Sequence, residues 1–268
     1  MNETLSLNSG GTVSVARAET AAKGIVIYFH GGGFVYGSKN DLPQKLQNIF
    51  LDKGYTVLAI DYLLTPNTSL QDSLTQMQET LAELQEKEIK DLSFSFCGRS
   101  AGGFAMMYLT KQLLQQNKTL PEQLIHFYGY SDLAFINNPR ELADMTVTQE
   151  MIASTELNQP VWDDPLLQRY LLYVYGVQQQ KLADFYQVSK ENSERFTIDK
   201  NTLQQFPRTF SSASTTDEEV PFKYSKQLKR LIPDCKFFPV YNLEHDFLKH
   251  PEDEQVEKVL NNLAEWLK

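Results

Sequence analysis

The sequence predicts an α/β fold, a mostly parallel sheet with helices wound on both faces. Three observations predict it. Short apolar runs recur along the chain, and most are continuous rather than alternating, as strands covered on both faces are. Between them lie segments whose apolar residues return every three or four positions, the period of a helix with one buried face. The third is the stretch from Leu92 to Met107. There an apolar run ends abruptly in Gly98-Arg99-Ser100-Ala101-Gly102-Gly103, and an apolar segment of helical character begins at once.

In chain order, Thr4 to Leu7 and Thr12 to Val15 alternate apolar and polar residues around Asn8-Ser9-Gly10-Gly11, a hairpin pattern. Gly24 to Phe29 is a strand buried on both faces, and it delivers His30-Gly31-Gly32-Gly33-Phe34 at its carboxyl end. A helix follows, with Asp41 as N-cap, Pro43 in its first turn, Leu42, Leu46, Ile49 and Phe50 as its apolar face, and Gly54 as its stop. Tyr55 to Tyr62 is the next strand. The helix after it carries Leu70, Leu74, Met77, Leu81 and Leu84 on one face. After the strand and helix around Ser100, Gln123 to Tyr130 supplies a further strand.

The rhythm breaks after Asp132. Residues 134 to about 205 are polar and aromatic, with Leu166, Leu167, Tyr170, Leu171 and Val174 at helical spacing, and are expected to form a helical cap over the strand ends. The pattern resumes with a strand at Arg208 to Ala213, a helix near Tyr224 to Leu231 and a last strand at Lys236 to Val240. Val256, Val259, Leu260, Leu263 and Leu267 mark a closing helix. One domain over 1–268, with the insertion at about 134–205, is the expected organisation.

Composition narrows the partners. A formal net charge of −9 argues against nucleic acid and against an anionic membrane surface. No apolar run has membrane-spanning length, and the first residues lack the basic start and apolar core of a signal peptide. A cytoplasmic protein is expected, with Cys97 and Cys235 as reduced, buried thiols. The oligomeric state stays open, a homodimer included. No cofactor or metal is expected. Gly37-Ser38-Lys39 misses the Gly-Lys-Ser/Thr of a phosphate loop, Tyr36 spoils G-x-G-x-x-G, and His245 and His250 are wrongly spaced for helical zinc ligands.

The turn at Ser100 has chemical meaning. A chain reversing between strand and helix strains its apex residue, small neighbours must make room, and the helix start aims unpaired N–H groups at whatever lies before the serine. A serine hydroxyl needs a base to take its proton and an acid to orient that base. Of the four histidines, His30 precedes three glycines and reads as a backbone anchor, His126 lies inside a strand, and His250 begins a charged helix. His245, in a loop following the last strand, is the candidate base. Asp217, in the loop after the strand Arg208 to Ala213, is the candidate acid, with Glu218 and Glu219 as chemical alternatives. The glycines after His30 allow backbone N–H groups to approach a substrate oxygen that a Cβ would exclude.

Together these residues make the sequence resemble the α/β-hydrolase superfamily, and within it the hormone-sensitive-lipase-like esterases. The resemblance rests on His30-Gly31-Gly32-Gly33-Phe34, on the G-x-S-x-G pattern of Gly98 to Gly102, on Asp217 with Val220-Pro221, and on His245-Asp246-Phe247. It covers the chain from about Lys23 to Lys268. It implies Ser100 as nucleophile, His245 as base, Asp217 as orienting acid, and oxyanion donors at Gly31, Gly32 and Ala101. The chain departs from that family in three places. Arg99 stands where an acidic residue is usual, Asp61-Tyr62-Leu63-Leu64-Thr65-Pro66 replaces a Tyr-Arg-Leu-Ala-Pro stretch, and no N-terminal cap helices are expected, so any lid is expected from the insertion at 134–205. Tyr130-Ser131-Asp132-Leu133 is weakly similar to formamidase- and feruloyl-esterase-like hydrolases.

The resemblance implies a serine carboxylesterase acting through an acyl-enzyme on a small-molecule ester of small to medium acyl size. The aromatic insertion either supplies an apolar or aromatic pocket for it or, equally, packs as a helical lid whose rings serve as core. Two alternatives stand beside it: hydrolysis of an amide, formamide or short peptide by the same residues, and a non-catalytic relative that binds a ligand.

Overall fold

The computed structural model describes residues 3–19 and 21–267; Met1, Asn2, Thr20 and Lys268, inside the expected 1–268 span, lie outside the described residues. Its centre is one eight-stranded sheet in the order β1-β2-β4-β3-β5-β6-β7-β8. The strands are β1 (Glu3–Ser6), β2 (Thr12–Ala16), β3 (Gly24–Phe29), β4 (Tyr55–Ile60), β5 (Phe94–Arg99), β6 (Gln123–Phe127), β7 (Arg208–Ser214) and β8 (Cys235–Val240). The first hairpin pairs antiparallel and joins β4 antiparallel, and every pairing from β4 to β8 is parallel.

The apolar runs are continuous because the sheet has a core on each side. In β3, Ile25, Ile27 and Phe29 enter one core, while Val26 and Tyr28 enter the other. On the second side lie α1 (Gln44–Asp52), through Leu46 and Phe50, and α8 (Glu254–Trp266), through Val256, Val259, Leu260 and Leu263. The first side is covered by α2 (Leu70–Leu84), α3 (Ala101–Gln115) and α7 (Lys223–Leu231). The periodic face expected for α2 is fully realised, since Leu70, Leu74, Met77, Leu81 and Leu84 are all buried.

The strand order fixes where a ligand can bind. From β3 the chain goes to β4 on one side, then crosses back to β5 on the other, so β3 and β5 flank a topological switch point. Open α/β sheets bind ligands in the crevice at the carboxyl ends of the strands that flank such a point. The loops that leave β3 and β5 there begin with His30-Gly31 and with Ser100.

Several expected details differ. Asp41 is not the cap of α1. It ends a short 3₁₀ turn, Lys39–Asp41, and Pro43 occupies the N-cap position without a side-chain bond. Asp41 is engaged elsewhere, as described below. β6 ends at Phe127, where Tyr128 takes a positive φ of 41° and turns the chain after one last bond from its N–H to Ser212 O of β7 at 2.8 Å.

Between residues 134 and 205 the regular elements are α4 (Tyr170–Gln178), α5 (Leu182–Tyr186), α6 (Lys200–Leu203) and a 3₁₀ turn, Ser193–Phe196. Leu166 and Leu167 precede α4 and are exposed, so they are not part of its face; Tyr170 and Leu171 are half-buried, and the buried residues are Val174, as expected, with Leu172, Tyr173 and Val177. The 165–167 stretch cannot extend the helix, because Leu167 has φ 54°. Buried Arg169 ties this region to the loops below it. Its guanidinium donates to Val35 O at 2.7 Å, Thr65 O at 2.9 Å and Asn67 Oδ1 at 2.7 Å.

Cys97 and Cys235 are free thiols, the first buried and the second half-buried. Among the described residues no helix is long and apolar enough to cross a membrane.

Candidate active site

Ser100 sits at the turn between β5 and α3 with φ 51° and ψ −119°, a strained backbone state that L-residues avoid. The residues two before and two after it must be glycine. A Cβ on Gly98 would stand 2.3 Å from Gly102 O, and one on Gly102 would stand 2.1 Å from Phe29 O. The turn is therefore packed directly against the end of β3. The register pairs Phe29 with Gly98, and a Cβ on Gly31 would lie 3.5 Å from that of Ser100. Sheet register brings the glycine loop and the serine together across about 70 residues of chain.

The other two residues arrive on the next loops along the edge. β7 and β8 pair from Thr209 with Cys235 to Ser214 with Val240. Ser214 Oγ and Thr216 Oγ1 then both donate to Leu243 O, which fixes one loop against the other. His245 Nε2 lies 2.9 Å from Ser100 Oγ, and His245 Nδ1 lies 2.7 Å from Asp217 Oδ2. Asp217 Oδ1 is held by the backbone N–H groups of Glu219 and Val220, at 2.9 and 2.8 Å. Ser100, His245 and Asp217 thus form one hydrogen-bonded chain, and neither Glu218 nor Glu219 takes the place of Asp217. Burial alone would lower the His245 pKa, but the carboxylates of Asp217 and Glu219, the Asp217 bond and Asp246 outweigh it and push it up to about 9.

The glycine loop is set by residues the sequence did not reveal. Tyr62 Oη donates to His30 O at 2.9 Å and to Gly31 O at 3.2 Å, and its ring stacks on His30 at 4.0 Å. His30 Nδ1 also bonds Gly31 O, at 2.7 Å, so His30 is the backbone anchor expected of it. In a trans peptide the N–H points away from its carbonyl. Gathering both carbonyls on one hydroxyl therefore turns the Gly31 and Gly32 N–H groups to the opposite side. Gly31 and Gly32 line the same cavity as Ser100 and His245. Ala101 is buried at the head of α3, where the first turn leaves N–H groups without intrahelical acceptors. Tyr186 Oη donates to Gly33 O at 2.7 Å, so α5 also packs on this loop. Only the position of Tyr62 at a strand end hinted at such a role.

Arg99 does not face open solvent beside the serine. It is 3 % exposed and bonded on every side: Nε to Tyr28 Oη at 2.7 Å, Nη2 to Asp41 Oδ2 at 2.6 Å, and Nη1 to Asp246 Oδ1 at 2.8 Å. Tyr28 Oη in turn donates to Asp41, and Tyr128 Oη to Asp246.

The cavity measures about 680 Å³, in the range of small-molecule sites. The insertion contributes Glu141, Leu142, Leu167 and Tyr170 to its wall, while Phe135, Tyr173, Tyr186 and Phe196 belong to the core, so most of its rings follow the packed-lid alternative. Trp162 lies instead against Gly10 and Gly11 of the first hairpin, and Phe185 against Gly176. The segment Tyr130-Ser131-Asp132 is committed to packing, with Tyr130 stacked on Phe104 and Asp132 accepting from Tyr224 Oη. Among the described residues no cluster of His, Cys, Asp and Glu is placed to hold a metal ion.

A sheet wound this way, with a strained serine on the turn after β5, defines an α/β hydrolase, and the family model for the alpha/beta hydrolase fold matches residues 26–185. The chain belongs to that family. A solved α/β-hydrolase superfamily protein from Enterococcus faecalis is 46 % identical, with 99 % of this chain and 98 % of that one covered and a TM-score of 0.96. An esterase of Acinetobacter venetianus is 26 % identical over 117 residues, 44 % of this chain and 39 % of its own length. The ethyl acetate hydrolase of Pseudomonas putida is 28 % identical over 112 residues, 40 % of this chain and 35 % of its own. The matches thus span less than half the length of these two relatives.

Proposed function

We propose that the protein is a carboxylesterase-type serine hydrolase acting on small-molecule esters of small to medium acyl size. One observation carries the reading: His245 reaches Ser100 Oγ with one ring nitrogen and Asp217 with the other, at 2.9 and 2.7 Å. Imidazole between a hydroxyl and a buried carboxylate is the arrangement that activates a serine. The esterase and the ethyl acetate hydrolase among its relatives support the choice of an ester bond.

In this reaction Ser100 Oγ attacks the ester carbonyl carbon while His245 Nε2 takes its proton. The oxyanion is held by backbone N–H groups of Gly31, Gly32 and Ala101, each such donor contributing about 3–4 kcal/mol to the barrier it lowers. Collapse breaks the bond to the alcohol, which leaves with the proton from His245 and an acyl-Ser100 behind. Water then repeats the sequence with His245 as base, releasing the acid and restoring Ser100. Asp217 holds the imidazole tautomer and the imidazolium throughout. Residues 134–205 act as the cap, placing Leu142, Leu167 and Tyr170 over the acyl chain.

The test is turnover of nitrophenyl esters of rising acyl length, with the matching amides, by the wild type and Ser100→Ala. Ester hydrolysis lost in Ser100→Ala, with covalent labelling of the wild type by a serine-directed phosphonate, is the expected result. Turnover of amides but not esters would move the reading to the amide-cleaving alternative. No turnover and no labelling would leave the non-catalytic one.

A further inference from the structure

Arg99 immediately precedes Ser100, and Asp246 immediately follows His245. Their side chains meet behind the site, Nη1 to Oδ1 at 2.8 Å, although 147 residues separate them. The other side of the guanidinium holds Asp41, which stands at the end of the glycine loop leaving β3. Tyr128, from the loop after β6, donates to the same Asp246 oxygen at 2.6 Å and sets its ring edge on His245 at 4.8 Å. Lys249 takes the second Asp246 oxygen at 2.8 Å. Four loops at the carboxyl edge of the sheet are thus tied through one buried cation.

We infer that Arg99 is a positioning residue, a hub whose two carboxylate partners lock the nucleophile turn, the glycine loop and the His245 loop in mutual register. The inference rests on the reading of Ser100 and His245 as nucleophile and base. The planar guanidinium suits this role because it engages two carboxylates from opposite edges at once, and a lysine ammonium has no such fork. An acidic residue at position 99 would repel both Asp41 and Asp246, so the arginine and its two acids form a matched set. The hub also sets the charge around the base. His245 faces Asp217 and Glu219 from the loop after β7, Asp246 from its own loop and the Tyr128 ring from the loop after β6, while Arg99 and Lys249 act on Asp246.

The experiment compares the wild type with Arg99→Gln, Arg99→Lys and Asp246→Asn, each checked for folding by circular dichroism. Sites are counted with the phosphonate, kcat and KM are measured on a neutral ester, and the His245 imidazole is titrated by NMR. Arg99→Gln is expected to lower kcat per titrated site about 100-fold, the loss typical of misplacement by about an ångström, with KM little changed. Its imidazole should titrate at higher pH than the wild type, because Asp246 loses its counter-ion. Asp246→Asn should titrate at lower pH, and Arg99→Lys should recover part of kcat.

A folded Arg99→Gln with wild-type kcat and an unmoved imidazole would overturn the inference. If that variant does not fold, wild-type kcat and imidazole titration in both Arg99→Lys and Asp246→Asn would overturn it equally. The imidazole titration does not depend on turnover. A wild type that neither labels nor hydrolyses would refute the hydrolase reading, while opposite imidazole shifts in Arg99→Gln and Asp246→Asn would still establish the hub.

Discussion

At the scale of single residues, the proposed chemistry depends on what surrounds His245. Deprotonated imidazole is the active form, so kcat/KM should rise with pH through a limb placed above the ordinary histidine value, toward about 9. Asp217→Asn removes the strongest acidic neighbour. We predict a kcat lower by about 10³–10⁴-fold and a limb displaced to lower pH, read from a pH–rate profile. Tyr62 offers a second test. Tyr62→Phe strips the hydroxyl from two buried carbonyls, His30 O and Gly31 O, and should cost about 1–3 kcal/mol in urea unfolding. Because the glycine N–H groups then lose their fixed direction, kcat should fall more than KM rises. Ser100, Asp217 and His245 were legible in the sequence because each follows a strand and has few chemical competitors. Arg99, Asp41, Tyr128 and Asp246 were not. Their bonds join residues 58, 118 and 147 positions apart, and only the sheet order makes them neighbours. Asp41 was misread for the same reason. An aspartate two residues before a proline and a helix looks like a cap, whereas its partners come from β3 and β5.

At the scale of elements, the strands and the amphipathic helices α2 and α8 followed directly from apolar spacing. The region between β6 and β7 did not, because its burial is set by anchors rather than periodicity. Arg169 is such an anchor, supplying hydrogen bonds to carbonyls of the Val35 and Thr65 loops. Arg169→Ala leaves those carbonyls unpaired and should lower stability by at least about 2 kcal/mol, measured by urea unfolding. The turn at Ser100 is the other element whose sequence is dictated by contact. Gly98→Ala places a methyl 2.3 Å from a backbone oxygen that has no flexible end to move. We predict overpacking of about 1–3 kcal/mol and loss of phosphonate labelling, since the turn must shift to accept it.

At the scale of the whole molecule, the ionisable groups at the sheet edge couple stability to pH in opposite directions. Burial alone would raise Asp246, but Arg99 and Lys249 hold it well below the usual carboxylate range. A depressed carboxylate stabilises the fold above its unfolded pKa, and that contribution is lost as pH falls through the folded value. His245, raised to about 9, stabilises fully below the unfolded histidine value and loses that contribution as pH rises through 9. Stability should therefore decline on the same alkaline limb where activity rises. Urea unfolding of the wild type and of Asp246→Asn, from about pH 2 to about pH 9.5, checks both slopes. The acid-side slope should be shallower in Asp246→Asn.

The central claim is that Ser100, driven by His245, carries the reaction, and active-site titration with a serine-directed phosphonate tests it most directly. One equivalent should bind per chain, the modified residue should be Ser100 by peptide mass analysis, and ester hydrolysis should vanish in step with labelling. Ester turnover that persists in Ser100→Ala, or a label carried by any other residue, would contradict it.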